Sequence, residues 1–413
     1  MKNFCPLLGL FLLFGTLFTG PALYSAQEVD IGITRQHLAR IKIDVANFTP
    51  EAKSDPRLAN DLINILKNDF NLVDYLEPVA NSSDAQLKLT CTYTLSGNNQ
   101  LTIKGKLYET KKGRMILGKR FSGTVEQCRK LIHSLTDSII TNVIGEQGIA
   151  ATRLAFEHPA SGNKQIFISD FDGHGLFQLT KDPCPSLFPH WSHRRDKIIY
   201  TSYLYHFPQT FIYNISHGTR NRICAYPGLN TSASFSPNGR KVALTLSKDG
   251  NSEIYTVNTD GTRLTRITRA RSVDTAPCWS PDGQKIAFVS NRSGSPQIYI
   301  VNSQGGSARR LTYEGSYNAN PNWSPKEDLI VYNSSQGGIF QILTTDVNTG
   351  QTTQITHGPA SCENPSFAAD GRHIVFSRTK GYNSALCIMD IFFRESHILP
   401  MPRGNYTNPD WSS

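Results

Sequence analysis

The chain has 413 residues, 38% of them hydrophobic and 18% charged, with a formal net charge of +9. Its Lys and Arg residues are scattered rather than striped and no RNA- or DNA-reading motif accompanies them, which sets nucleic-acid binding aside; the excess positive charge serves solubility or attraction to acidic partners and anionic envelope polymers. The eight cysteines form no Cys-x-x-Cys pair and no Cys/His zinc spacing, and His-Glu-x-x-His, P-loop and Gly-x-Ser-x-Gly patterns are missing, so the sequence nominates no metal, cofactor or catalytic nucleophile.

In chain order, Lys2 precedes an apolar run from Phe4 to Phe18, and small residues lead on to Ala26. A run of about 15 residues is short for a membrane span and fits a secretory signal peptide, residues 1–26, cut after Ala26, the alternative being a retained anchor helix. Cys5 lies before the run, not at its end, so a lipid-modified cysteine is not expected. Export makes disulfides possible; with Cys5 removed seven cysteines remain, an odd number that leaves at least one thiol free, and the pairing expected is Cys91–Cys128, strand to helix.

Residues 27–150 read as a small α/β domain. Arg40 to Phe48 alternates as a strand, and Pro56 to Phe70 places Leu58, Leu62, Ile65 and Leu66 on one helical face. Strands are expected at 86–95, 100–109 and 114–122, joined by Gly97-Asn98-Asn99 and Lys111-Lys112-Gly113 turns. Val125 to Ile144 is a second amphipathic helix with Cys128, Ile132, Leu135, Ile139 and Val143 inward, broken by Gly145 and Gly148.

From there to the end, a bulky aromatic recurs every 44 residues: Trp191, Phe235, Trp279, Trp323, Phe367 and Trp411. The same step carries Leu154, Ile198, Val242, Ile286, Ile330 and Ile374. Each unit reads as four short strands, in one copy Ala276–Ser280, Lys285–Ser290, Gln297–Asn302 and Ala308–Thr312, with an Asp282-Gly283 turn. Four-stranded units at this period are propeller blades, since no amphipathic segment is long enough for a helical repeat. Residues 152–180 lack a first strand and 408–413 contain only one, so the two ends complete a sixth blade and close the ring. The expected fold is therefore an all-β six-bladed β-propeller over residues 151–413, preceded by the small α/β domain. The aromatic column packs between blades. One residue before it runs a second column, His190, Ser234, Cys278, Asn322, Ser366 and Asp410, which faces a polar central channel. His190 and Asp410 stand in adjacent blades, either as an acid/base dyad or as a satisfied hydrogen bond.

The blade line Pro277-Cys278-Trp279-Ser280-Pro281-Asp282-Gly283-Gln284-Lys285-Ile286-Ala287-Phe288 resembles the propeller motif of the TolB family, periplasmic components of Tol–Pal systems. The passage His133-Ser134-Leu135-Thr136-Asp137, Gly145-Glu146-Gln147-Gly148 and Thr152-Arg153-Leu154-Ala155-Phe156 resembles that family's helix-to-propeller junction, and the domain order agrees. Departures are His193-Arg194-Arg195-Asp196 in place of Ser-Pro-Asp-Gly, Lys326-Glu327 in place of Asp-Gly, and Ala368-Ala369 in place of Ser-Pro, where turn types should differ. The resemblance implies a non-enzymatic, monomeric adaptor in the periplasm of a Gram-negative bacterium, supporting outer-membrane integrity and envelope constriction at division. It implies that the lipoprotein Pal binds over the propeller mouth, and that TolA is contacted through the processed N-terminus, here Glu28, Val29, Asp30 and Ile31. Loops feeding the first strands ring that mouth: Leu229, Asn230, Thr231 and Ser232; Asp274, Thr275 and Ala276; Tyr317, Asn318 and Asn320; Glu363 and Asn364. Competing readings are a propeller lyase or hydrolase using His190 and Asp410, and an accessory propeller serving a separate peptidase.

Overall fold

The computed structural model describes residues 39–51, 56–80, 83–160 and 162–412. The signal peptide, its cleavage after Ala26 and the Glu28–Ile31 segment lie outside the described residues.

The α/β domain is built on β1 (Ile41–Val45), β2 (Thr49–Pro50), α1 (Pro56–Val73), β3 (Leu76–Val79), β4 (Leu87–Ser96), β5 (Gln100–Glu109), β6 (Arg114–Thr124) and α2 (Cys128–Ile144). The sheet runs β3-β1-β4-β5-β6, parallel around β1 and antiparallel from β4 onward, with β2 beside β4. β3 is not foreshadowed in the sequence because Leu76–Val79 is too short to show a period. The second helix begins three residues later than expected, since Val125–Gln127 winds as a 3₁₀ turn braced by Gln127 on the Thr124 amide. It ends where Gly145 adopts φ +78° and returns its N–H to Thr141 at 3.1 Å, a left-handed cap. Leu131, Ile132, Leu135, Ile139, Ile140 and Val143 are buried, and Gly105 on β5 lets the helix close down. A Cβ there would come within 2.6 Å of Leu135.

That contact also explains why the expected Cys91–Cys128 disulfide is not formed. Both thiols are free. Cys91 pairs in register with Gly105, so it sits under Leu135. Cys128 is seven residues earlier on the helix, roughly 10 Å along its axis, beyond the reach of a disulfide. Burial pushes the Cys91 thiol up to about 12.

Residues 153–411 form six four-stranded sheets arranged as blades. Inner strands are Ser186–Trp191, Asn230–Phe235, Asp274–Trp279, Tyr317–Trp323 and Ser361–Phe367 in blades one to five. The sixth sheet is composite: Thr407–Trp411 pairs antiparallel with Arg153–Ala160, followed by Asn163–Asp170 and Phe177–Gln178. Here Trp411 faces Leu154, Ser412 N donates to Arg153 O at 2.9 Å, and the Trp411 indole N–H reaches Thr152 Oγ1 at 2.6 Å. Leu154, Ile198, Val242, Ile286, Ile330 and Ile374 have no exposed surface. Five of the six column aromatics are buried. Trp279 is half-buried, and its indole N–H donates across the seam to Ser234 O at 3.2 Å.

The outermost strand of the third blade is shorter than expected. Only Arg309–Arg310 is strand, not Ala308–Thr312. The ladder stops because Thr312 swings its hydroxyl inward to accept from Ile298 N (2.9 Å) and donate to Gln297 (2.9 Å). The same clamp recurs as Gln341–Thr356 and Glu253–Thr268. The partner side chain then ties the interblade linker: Gln341 Nε2 donates to Gly358 O and Ala360 O, and Gln165 Nε2 to Asp182 O and Cys184 O.

Of the three departing hairpins, two keep the common geometry. Gly371 takes φ +67° and closes on Ala368 O at 3.0 Å, as Gly283 does on Ser280 O at 2.9 Å. Arg195 adopts the same left-handed position at φ +60° without being glycine. The Lys326-Glu327 turn has no left-handed residue and hangs both amides on Ser324 Oγ at 3.3 Å.

The α/β domain docks where the inner strands end. Tyr75 Oη donates to Asp370 at 3.3 Å and its ring lies 4.5 Å from the Arg372 guanidinium. Asp74 bonds Arg40 at 2.9 Å and His397 at 3.1 Å, and Arg40 also reaches Glu395. On α2, Arg129 pairs with Asp172, and His133 lies between Asp69 at 2.8 Å and Asp172 at 3.9 Å.

Candidate functional site: the channel and its open mouth

The second column lines the central channel, which holds cavities of about 140 and 130 Å³ on either side of it. Its chemistry is that of a staple. Asp410 Oδ2 accepts from Trp191 N at 2.6 Å, Asn322 Oδ1 from Phe367 N at 2.9 Å, Ser366 Oγ from Trp411 N at 3.1 Å, and His190 Nδ1 from Phe235 N at 3.5 Å. Each is a side chain of one blade capturing the amide of the next blade's aromatic. Cys278 stands likewise against the Trp323 amide, its thiol pushed up to about 12 by burial. Ser234 Oγ donates to Pro277 O at 2.9 Å. A buried amide left unpaired is expensive, so a polar channel is what six inward-facing seams require.

His190 Nε2 and Asp410 Oδ1 are 4.0 Å apart. Asp410 is committed elsewhere, to Trp191 N and to the Ser366 hydroxyl at 3.1 Å. Burial raises its pKa and His190 counteracts that. The pair reads as part of the staple, the imidazole accepting from Phe235 N on its other nitrogen.

One mouth carries a second sixfold feature. Phe188, Ser232, Ala276, Asn320, Asn364 and Asn408, again 44 apart, all take φ between 49° and 55°. Each sits at a register shift in its inner strand. None is glycine, and five precede a proline, so extended backbone would be their ordinary choice. Left-handed non-glycine residues are held only where the surroundings over-determine them and cluster at working surfaces. Here Glu157, fully buried at the composite blade, accepts from Phe188 N (2.8 Å) and Asn408 Nδ2 (2.6 Å). Asn333 accepts from Asn320 Nδ2 (3.1 Å) and Asn364 N (3.3 Å). The α/β domain contacts lie at the opposite end of the ring.

Of the expected rim residues, Ser232, Ala276, Asn320 and Asn364 line this mouth. Leu229, Thr231, Thr275, Tyr317 and Glu363 lie just outside it with exposed or partly exposed side chains. Asn230, Asp274 and Asn318 have no accessible surface. Asn230 bonds Tyr226 N and O (2.8 and 2.6 Å), Asp274 pairs with Arg292 (2.7 Å), and Asn318 bonds Gln297 (2.8 Å). They brace the linkers behind the rim. Phe188, Asn408, Glu157 and Asn333 escape sequence reasoning. Only the 44-residue step would find the first two, because Phe, Ser, Ala and Asn share no chemistry.

Among the described residues, two clusters bring metal-competent atoms within 4.8 Å, Asp69–His133–Asp172 and Asp74–Glu395–His397. Each already holds a guanidinium, Arg129 on Asp172 and Arg40 on Asp74 and Glu395, so their negative charge is answered from within.

The fold and site define a six-bladed propeller with a stapled polar channel, joined to a small α/β domain at one end and open at the other. The family model described as the TolB beta propeller domain matches residues 140–413, and the chain belongs to the TolB family. A Tol-Pal system protein TolB from Desulfosudis oleivorans is 33% identical over 188 residues, a match covering 45% of this chain and 42% of that relative; the chain thus spans less than half of that relative's length. The crystal structure of TolB from Acinetobacter baumannii superposes with a TM-score of 0.81 at 26% identity, over 91% of this chain and 97% of that one. A putative TolB from Agrobacterium tumefaciens, 20% identical with a TM-score of 0.51 over 62% of this chain and 92% of its own, shares the fold.

Proposed function

We propose that this protein is a non-enzymatic periplasmic adaptor of a Tol–Pal system, binding Pal at the bulged mouth and TolA through the mature N-terminus, Glu28 to Ile31, in support of outer-membrane integrity and division. The observation that carries the reading is the sixfold left-handed ring. It is a pre-organised rim of small and polar side chains with one exposed phenyl, Phe188, facing away from the α/β domain, of the kind that recognises another protein with little ordering penalty. Family membership supplies the partner class. No described helix is long and apolar enough to cross a membrane. The test is co-purification from envelope extracts with mass spectrometry of the bound proteins. Pal is expected with wild type and is expected to be lost with Leu229→Arg/Thr275→Arg. Recovery of a peptidase in place of an outer-membrane lipoprotein would overturn the reading, as would Pal retained by the double variant.

A further inference from the structure

Blade five breaks the clamp. By the 44-residue step, Gln341 and Thr356 correspond to Ala385 and Pro400. Neither can bond its linker, and the linker stands off from the third strand. The gap is a groove of about 540 Å³ between that strand, the end of the second strand and residues 398–406. Its far wall is fixed. Tyr406 stacks on His158 with ring centres 4.5 Å apart and donates its hydroxyl to Pro402 O at 2.8 Å. Gly404 packs so closely that a Cβ would come within 2.5 Å of the His158 ring. Ser384 N donates to Asn405 at 3.1 Å, pinning the linker's end.

The groove has an apolar floor, Leu386 and Leu399 with Met401, and a rim of Arg378, Lys380 and Arg403. No lining residue is acidic, and among the described residues the three cations enter no ion pair. Beside them stand Tyr382, 97% exposed at the hairpin tip, and Ile398, 58% exposed. We propose that this groove is a docking site for an acidic, extended segment of a protein partner, distinct from the channel mouth and independent of what binds there. Alternate side chains of an extended chain point to opposite sides, so carboxylates meet the cationic rim while apolar residues lie on Ile398 and Met401. A phosphate-bearing headgroup or anionic glycan would match the rim and gain nothing from the floor. Exposed aromatic and Arg side chains around such a groove are the residue types enriched at protein interfaces, and the unpaired charge steers an acidic partner in.

The probe is a fluorescein-labelled ten-residue peptide alternating Glu and Leu, titrated with the full chain by fluorescence anisotropy. Wild type is expected to bind it saturably and more weakly as salt rises, and a Lys/Leu peptide is expected not to bind. Lys380→Glu/Arg403→Glu, both exposed positions, is expected to weaken binding at least tenfold. Arg240→Glu/Lys241→Glu on blade two makes the same net-charge change and is expected to alter it less than twofold. Should the reversal disturb folding, seen as a lowered melting temperature, Lys380→Gln/Arg403→Gln carries the test with a severalfold loss expected. Three results would each overturn the proposal. They are no saturable binding by wild type below about 1 mM, an equal loss in the blade-two control, or displacement of the probe by inorganic phosphate or phosphatidylglycerol vesicles as readily as by unlabelled peptide.

Discussion

Asp410 illustrates how single side chains hold the ring. Its two oxygens take up the Trp191 amide and the Ser366 hydroxyl inside a buried seam. Asp410→Ala leaves both without a partner and is expected to destabilise the protein by about 1–3 kcal/mol in urea unfolding. Asp410→Asn retains an acceptor and is expected to lose less; equal losses would show that the seam does not depend on that acceptor. Buried and exposed rim residues separate just as sharply. Asn230→Arg buries a charge where three backbone bonds were made and is expected to lower the melting temperature by several degrees. Thr275→Arg, partly exposed, is expected to leave it within about 2 °C. The two residues look alike in sequence, since a polar side chain at the head of a strand reads as a loop whether it faces water or a linker. The left-handed column is illegible for the opposite reason: a backbone angle repeats while the residue type does not.

At the scale of elements, the joint between α1–β3 and blade five is a cluster of buried ionisable groups. His373 Nδ1 donates to Asp370 at 2.6 Å, with Asp390, Arg372 and the Tyr75 hydroxyl around them. Burial alone would raise Asp370, but the His373 charge and hydrogen bonds outweigh it and hold the carboxyl at about 2. Burial would lower His373, and Asp370 outweighs it, so its pKa is raised. The signs are opposite. Asp370 contributes stability that is present above its unfolded value near 4 and lost as pH falls toward 2. His373 contributes stability present below its unfolded value near 6.5 and lost as pH rises through the raised one. Urea midpoints are therefore expected to fall at both ends of the pH range, and His373→Gln is expected to flatten the alkaline limb. An unchanged limb would place the titrating group elsewhere. None of this is visible in sequence, where Asp74 and His397 are separated by 323 positions. The clamp was half-hidden: Thr and Gln recur at the right step, but nothing in their spacing says that they end the outer strand.

For the whole molecule, the period of 44 made the blade count and the composite sheet legible, because an incomplete unit at each end leaves one arrangement that satisfies every strand edge. What a period cannot convey is where the α/β domain sits, since its contacts are made by individual residues such as Asp172, Asp370 and His397 that the repeat does not single out. Removing residues 407–413 deletes the inner strand of one blade together with Trp411 and the Asp410 staple. That truncation is expected to melt far below the full chain or fail to fold, and a normal melting curve would mean the ring does not need its seam. The bulged mouth is the proposed partner-docking surface. The direct measurement is isothermal titration of purified Pal against the full chain and against Leu229→Arg/Thr275→Arg, with melting curves of both. The expected result is saturable one-to-one binding that falls at least tenfold in the variant at an unchanged melting temperature. Undiminished affinity in a folded variant would contradict it.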